Sequence, residues 1–421
     1  MIAPLPELDR RHLLAGLAAS VALPTIGFAR TAGTSHAAVK AMADRYVAER
    51  KVANVVVAVG GRSGAPDFVS AGRLALGSGA AAGADSLYRI YSMTKPVTGC
   101  AIMLLGEEGK LRLDQPLSDI FPGFAQMNVL TDPANSLATR PATKPILIRH
   151  LLTHTAGLTY SIIGDGPLQK LYVEKGIVPA QTSIAAEAGE HRPPNLIAFA
   201  EAVAPVPLLV EPGSAWNYSI ALDVAGAVVE RVSGMPFDTF LERRIFVPLA
   251  MADTGFTVPA AKIGRMTSNY SLTPKGLEPL DVPPATIYAR PPAFPYGGAG
   301  LVSSARDYAR FMQMLLNEGQ LGRARILKPE TARLMMSNLL EPGVKFGADS
   351  GYGAGGRSTL VAVPGGEGAG TYGWSGAAGT HAFVDRWNGL YVVMTTQFMG
   401  SPNNPMVGDL TVAVYKDHAA A

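Results

Sequence analysis

Ser92 and Lys95 stand three residues apart in Tyr91-Ser92-Met93-Thr94-Lys95-Pro96, the only Ser-x-x-Lys in the 421-residue chain. Residues at that spacing lie one helical turn apart on the same face. An amine is thereby brought within reach of a hydroxyl, which is what a serine nucleophile needs when no histidine serves as its base. Pro96 has no N–H and fits only the first turn of a helix, so Ser92 falls at or near a helix N-terminus. The positive end of the helix dipole favours an oxyanion developing nearby. Val97 to Leu105 is small or apolar nearly all round, the pattern of a helix buried on most sides. Gly109, among Glu107, Glu108 and Lys110, reads as its stop. These types and spacings suggest acyl transfer on a serine whose proton a lysine manages. Taken alone, the pair also fits an N-cap serine beside a snorkelling lysine.

The context decides between the two. Arg89 to Lys95 is followed by Gly106-Glu107-Glu108-Gly109-Lys110-Leu111-Arg112-Leu113-Asp114, then by Ile148-Arg149-His150-Leu151-Leu152-Thr153-His154-Thr155-Ala156-Gly157-Leu158. Further on come Glu211-Pro212-Gly213-Ser214-Ala215-Trp216-Asn217-Tyr218-Ser219, Gly298-Ala299-Gly300-Leu301-Val302-Ser303-Ser304 and Gly373-Trp374-Ser375-Gly376. This series of blocks resembles the serine β-lactamase-like superfamily, in its class C branch and in the family VIII carboxylesterases. The resemblance implies an antiparallel sheet flanked by helices, an all-helical domain, and a site in the cleft between them. The boundaries expected on that basis are residues 35–95 with 290–421 for the α/β sheet domain and 96–289 for the helical one.

The superfamily's second motif is Tyr-x-Asn, and Tyr218-Ser219-Ile220 holds its place, after a Pro-Gly turn and a tryptophan and before a helix. A phenol is a weak base at neutral pH, but a nearby ammonium favours its anion. Ser92, Lys95 and Tyr218 sharing a proton would make a working base. By resemblance, Tyr218 helps deprotonate Ser92, protonates the leaving group and later activates water. Ile220 replaces the asparagine that contacts a β-lactam amide, which suits esters better. Trp374-Ser375-Gly376 occupies the place of Lys-Thr-Gly, and Trp374 removes the cation that would face a substrate carboxylate. Trp-x-Gly resembles the family VIII esterases. Ser375 is expected to hydrogen-bond substrate, Gly376 to permit close backbone approach, and the Ala377 N–H to form the oxyanion hole with the Ser92 N–H. His381 is a candidate for the pocket mouth, or equally an exposed strand histidine.

Two other readings fail. Gly373-Trp374-Ser375-Gly376-Ala377 is one residue short of a Gly-x-Ser-x-Gly elbow, and an extended pattern follows where the elbow needs a helix. His150 and His154 are spaced i, i+4, but no glutamate adjoins the first and no third ligand is at hand. No metal or other cofactor is expected.

A net charge of +3 with no basic run argues against a nucleic-acid partner. Cys100 is the single cysteine, so no internal disulfide exists, and its apolar setting suits a small buried hydrophobe. Arg10-Arg11-His12-Leu13-Leu14, the short apolar stretch to Ala29 and the small residues of Gly27-Phe28-Ala29 read as a Tat-type signal peptide over residues 1–34. Export to the periplasm or outside follows, without a lasting membrane span.

For the mature chain, a helix is expected over Ala37 to Lys51 and a buried strand from Asn54, with Asp67 to Ser70 as hairpin partner. Helices are expected over Ala221–Ser233, Phe237–Leu249, Ser304–Asn317 and Val407–His418, and a strand over Leu390–Phe398. The Pro/Gly-rich stretch 163–194 matches no family block and reads as an insertion overhanging the pocket. The expected activity is that of a serine carboxylesterase on small or medium acyl esters. The rivals are a β-lactamase, a D-alanyl-D-alanine peptidase and a non-catalytic cell-wall binding module.

Overall fold

The β-branched run from Asn54 forms β1 (Asn54–Gly61), and a tight turn returns the chain as β2 (Asp67–Gly72). Five strands from the far end of the chain complete the sheet: β3 (Ser350–Tyr352), β4 (Arg357–Thr359), β5 (Tyr372–Ser375), β6 (His381–Asp385) and β7 (Leu390–Thr395). The spatial order is β3-β4-β5-β6-β7-β1-β2, antiparallel throughout. The computed structural model describes residues 36–179, 192–400 and 405–420, and the chain from His36 onward forms one compact unit. The expected signal segment, residues 1–34, lies outside the described residues.

Period-2 alternation gives the sheet two buried faces. Val55, Val57, Phe383, Val392 and Met394 point to an outer layer made by α1 (Ala37–Ala48) and the closing helix described below. Val56, Ala58, Ala382, Val384 and Val393 point inward to the main core. That core holds α2 (Thr94–Glu107), α3 (Ala221–Ser233) and α4 (Ala305–Leu316). Every residue of α2 from Thr94 to Leu105 is buried, as its all-round apolar composition requires. Ser304 caps α4 by accepting from the Asp307 N–H at 3.1 Å. The outer layer is closed by α5 (Met406–Ala419), whose Asp417 accepts from the N–H groups of Ala38 and Val39, both at 2.9 Å, and so ties the two ends of the described chain.

Three expectations are corrected. Phe237–Leu249 is not one α-helix: it stops at Leu241 and continues as a π-helical turn, Glu242–Phe246. Pro248 lacks an N–H and its ring crowds the carbonyl of residue 244, so a regular helix cannot run on. The strand from Leu390 ends at Thr395, and Phe398–Met399 instead pairs in parallel with Tyr270–Ser271. Those residues belong to a hairpin, Asn269–Thr273 with Gly276–Asp281, inside the stretch expected to be helical. Within the insertion, a helix Pro167–Glu174 buries Leu168 and Tyr172, and residues 180–191 lie outside the described residues. Among the described residues no helix is long and apolar enough to cross a membrane.

Candidate active site

Ser92 sits in a 3-10 turn, Tyr91–Met93, that feeds directly into α2. Tyr91 has φ 41°, the left-handed region that a bulky residue enters only under constraint. The sharp corner separates Ser92 from the strand Leu87–Arg89 and sets it at the head of the buried helix. Lys95 follows in the first turn of α2 with no accessible surface. Its Nζ donates to Ser92 Oγ at 3.0 Å and to the Gly298 carbonyl at 2.7 Å.

Tyr218 arrives from the irregular segment just before α3. The Asn217 N–H donates to the His154 carbonyl at 2.8 Å and the Ile220 N–H to the Thr159 carbonyl at 3.2 Å. These bonds hold the tyrosine between two strips of chain, and its Oη donates to Ser92 Oγ at 2.6 Å. The Lys95 amine lies 4.6 Å from the Tyr218 ring centroid and 5.5 Å from that of Tyr160. Serine, lysine and tyrosine therefore meet at one oxygen, with both neighbours inside hydrogen-bond range.

Asp223, in the first turn of α3, was not singled out in the sequence. Its Oδ1 accepts from the Gly298 N–H at 2.8 Å, and Gly298 in turn presents its carbonyl to Lys95. Burial pushes the Asp223 carboxyl up to about 6, against the opposing pull of Lys95. An acid inside the apolar run Ala221 to Val229 was the available signal. His154 is also part of the surround. Its Nδ1 accepts from the Ser219 N–H at 3.2 Å, and burial, with Lys95 nearby, holds the ring well below its ordinary range and hence neutral.

Trp374 points from β5 into the same space. Its ring centroid is 5.8 Å from that of Tyr218 and 5.1 Å from that of Tyr352. Its Nε1 stands 3.5 Å from Tyr218 Oη, longer than a good hydrogen bond. Phe346 joins Trp374 at 6.0 Å to Trp216 at 4.7 Å, so an aromatic wall stands beside the nucleophile. Gly376 ends β5 against the turn that carries Ser92. A Cβ there would lie 2.3 Å from the Ile90 carbonyl oxygen and 2.2 Å from Thr380 Oγ1, so only glycine permits the approach. Ala377 follows, exposed, in the turn that joins β5 to β6.

Ser375, His381 and Ile220 do not join this cluster. In the β5–β6 pair, Trp374 stands opposite Ala382, an inward residue, whereas Ser375 stands opposite His381 on the other face. Ser375 Oγ is 2.7 Å from His381 Nδ1. The expectation that Ser375 binds substrate and that His381 borders the pocket mouth is therefore corrected: strand alternation turns both away from Trp374. Ile220 has no accessible surface and belongs to the main core, so it presents nothing to a substrate. Cys100 is buried mid-helix, with its thiol pushed up by burial. Among the described residues no group of three or more His, Cys, Asp or Glu could hold a metal ion.

A fold with a serine at the head of a buried helix, a lysine one turn on and a tyrosine bonded to the serine hydroxyl defines a serine hydrolase of the β-lactamase type. The family model for Beta-lactamase matches residues 39–415, and the chain belongs to that family. Protein Rv1367c of Mycobacterium tuberculosis is 37% identical over 314 residues, covering 70% of this chain and 73% of that protein. Esterase EstB of Burkholderia gladioli is 32% identical over 356 residues, 78% of this chain and 81% of its own length. Among solved structures, EstCE1, described as a hydrolase with promiscuous acyltransferase activity, superposes with a TM-score of 0.72 at 28% identity, covering 90% of this chain and 97% of that one.

Proposed function

We propose that the protein is a carboxylesterase that cleaves small or medium acyl esters through an acyl-enzyme on Ser92. The observation that carries the reading is the meeting of Lys95 Nζ and Tyr218 Oη at Ser92 Oγ, at 3.0 and 2.6 Å. Lys95 and Tyr218 take the serine proton as Oγ attacks the ester carbonyl. Tyr218 delivers a proton to the departing alkoxide and then accepts one from the water that releases the acid. The Ser92 and Ala377 N–H groups hold the oxyanion, each worth on the order of 3 kcal/mol of barrier.

Ester rather than lactam chemistry is favoured by Trp374. An indole stands where a cation would receive the carboxylate of a lactam, and the half-buried rings of Trp216 and Phe346 offer an uncharged acyl or alkoxy group an apolar surface. The esterase named among the relatives supports the same choice. An alcohol in place of water would give acyl transfer, which the description of EstCE1 makes a natural side reaction to look for. The insertion is tied to the chain near the site, since Arg192 Nη1 donates to Tyr296 Oη at 2.5 Å, two residues before Gly298, which supports a place for it beside the pocket. Residues 1–34 direct export to the periplasm or beyond.

The test is hydrolysis of p-nitrophenyl butyrate and of a chromogenic cephalosporin by the wild type and by Ser92→Ala. Fast ester cleavage, slow lactam opening and loss of both in the variant support the proposal. Lactam turnover faster than ester turnover rejects it.

A further inference from the structure

We infer that the outer face of β5 carries a second small-molecule site, on the side of the sheet turned away from Ser92, that takes an uncharged amphiphile with a single hydroxyl or carbonyl head. The alternation that sends Trp374 to the nucleophile sends Ser375 the other way, onto His381. Over this pair, α5 and the loop 363–367 wall a cavity of about 660 Å3. Its walls include Arg357, Glu367, Val407, Thr411 and Tyr415, and it shares Trp374 of β5 with the surround of Ser92. That volume is in the range of ordinary small-molecule pockets.

Three features make this more than a crease between helix and sheet. His381 Nε2 is buried and has no hydrogen-bond partner among the described residues, and an unpaired buried ring nitrogen is costly. Gly408 lies in the first turn of α5 beside the cavity, and a Cβ there would meet nothing within 4 Å. No close packing at position 408 requires a glycine. Its effect is to leave the groove open. The lips are apolar and wet: Val363 is 55% exposed and Val412 70%.

Charge selects the occupant. The Arg357 guanidinium is paired with Glu367, which also accepts from the Thr359 hydroxyl at 2.9 Å, so the two charges balance each other within the wall. Tyr415 Oη already donates to Asp385 at 2.6 Å. Burial, reinforced by Arg357, pulls His381 down to about 3, so the ring is neutral at neutral pH. The polar groups on offer are a hydroxyl and a neutral imidazole, which suit one neutral head group, while the valines suit an apolar body. An occupant would press on the strand whose other face sets Trp374 beside Tyr218.

2-Naphthol is a suitable probe, being apolar, hydroxylated and uncharged at neutral pH. Its fluorescence polarisation would be titrated with the full chain as wild type, Gly408→Leu and Ser375→Ala. Saturable binding is expected for the wild type, weakened about tenfold or more by Gly408→Leu and about threefold by Ser375→Ala, a tenfold change being 1.4 kcal/mol. Ester turnover and melting temperature should stay near wild type in Gly408→Leu, which shows that the fold and the Ser92 cleft are intact. Equal affinity of wild type and Gly408→Leu, or tighter binding of 2-naphthoate than of 2-naphthol, would overturn the inference.

Discussion

Lys95 and Asp223 are joined through one residue: Gly298 gives its carbonyl to the Lys95 amine at 2.7 Å and its N–H to the Asp223 carboxylate at 2.8 Å. The helix that carries Lys95 and the helix that carries Asp223 are thus locked together at the point where the nucleophile needs its base. The carboxylate also sets a negative charge behind an amine that has no accessible surface.

Asp223 should therefore shape the acid limb of the reaction. Its carboxyl is raised to about 6, so the charged form prevails above that pH and is lost below it. The wild type is expected to lose kcat/KM as pH falls through about 6. Asp223→Asn keeps an oxygen for the Gly298 N–H but removes the charge. We expect its kcat to fall about tenfold, equivalent to 1.4 kcal/mol of barrier, and the limb near pH 6 to disappear. A pH–rate profile with the limb unmoved would show that another group titrates there.

Tyr218→Phe removes the phenolic oxygen and leaves the ring stack with Trp216 in place. Loss of a positioned acid–base group costs about 10²–10⁴-fold, and the loss should fall on kcat with KM little changed. A fall in KM-limited turnover alone would make Tyr218 a wall of the pocket.

Arg89 is a structural counterpart three residues before the nucleophile. It has no accessible surface, its Nε donates to Asp281 Oδ2 at 2.6 Å and its Nη1 to the Thr267 carbonyl at 2.8 Å. Arg89→Met would leave the buried Asp281 unpaired, a loss of about 3–5 kcal/mol. Urea unfolding should show it, and a midpoint like that of the wild type would contradict this account.

Much of the site was legible because its chemistry is local. Ser92, Lys95 and Pro96 sit within one turn, and the Pro-Gly turn and tryptophan before Tyr218 and the helix after it marked that residue out. Asp223 was not seen because its partner Gly298 lies far along the chain and its own helix looked merely apolar. Ser375 was misplaced for a simpler reason. Adjacent strand residues face opposite ways, so Trp374 and Ser375 cannot both reach the cleft, and the family motif alone does not say which does. The sheet and α3 were readable from β-branched and apolar runs. The Asn269–Asp281 hairpin was hidden because one of its partners, Phe398–Met399, comes from near the other end of the chain.

Buried imidazoles should make the protein acid-labile. His381 is held at about 3 and His150 at about 4, both chiefly by burial, and His154 is held low as well. Unfolding returns each to about 6.5, so the unfolded state binds more protons as pH falls below that value and stability is lost. Asp223, raised to about 6, and Asp307, also raised by burial, work in the opposite direction, but two carboxyls do not offset three imidazoles. Each uncompensated proton contributes about 1.4 kcal/mol per pH unit. Denaturant midpoints should fall between pH 6.5 and 4, less steeply in His381→Asn. A flat profile in the wild type would refute the assignment of these rings as neutral.

The most direct test of the central claim is the mass of the intact protein after a brief exposure to p-nitrophenyl butyrate and an acid quench. The account predicts an added butyryl group that maps to the peptide bearing Ser92 in the wild type, accumulates in Tyr218→Phe only as far as that variant still acylates, and is absent from Ser92→Ala. Ester turnover with an adduct on any other residue, or undiminished turnover in Ser92→Ala, would contradict it.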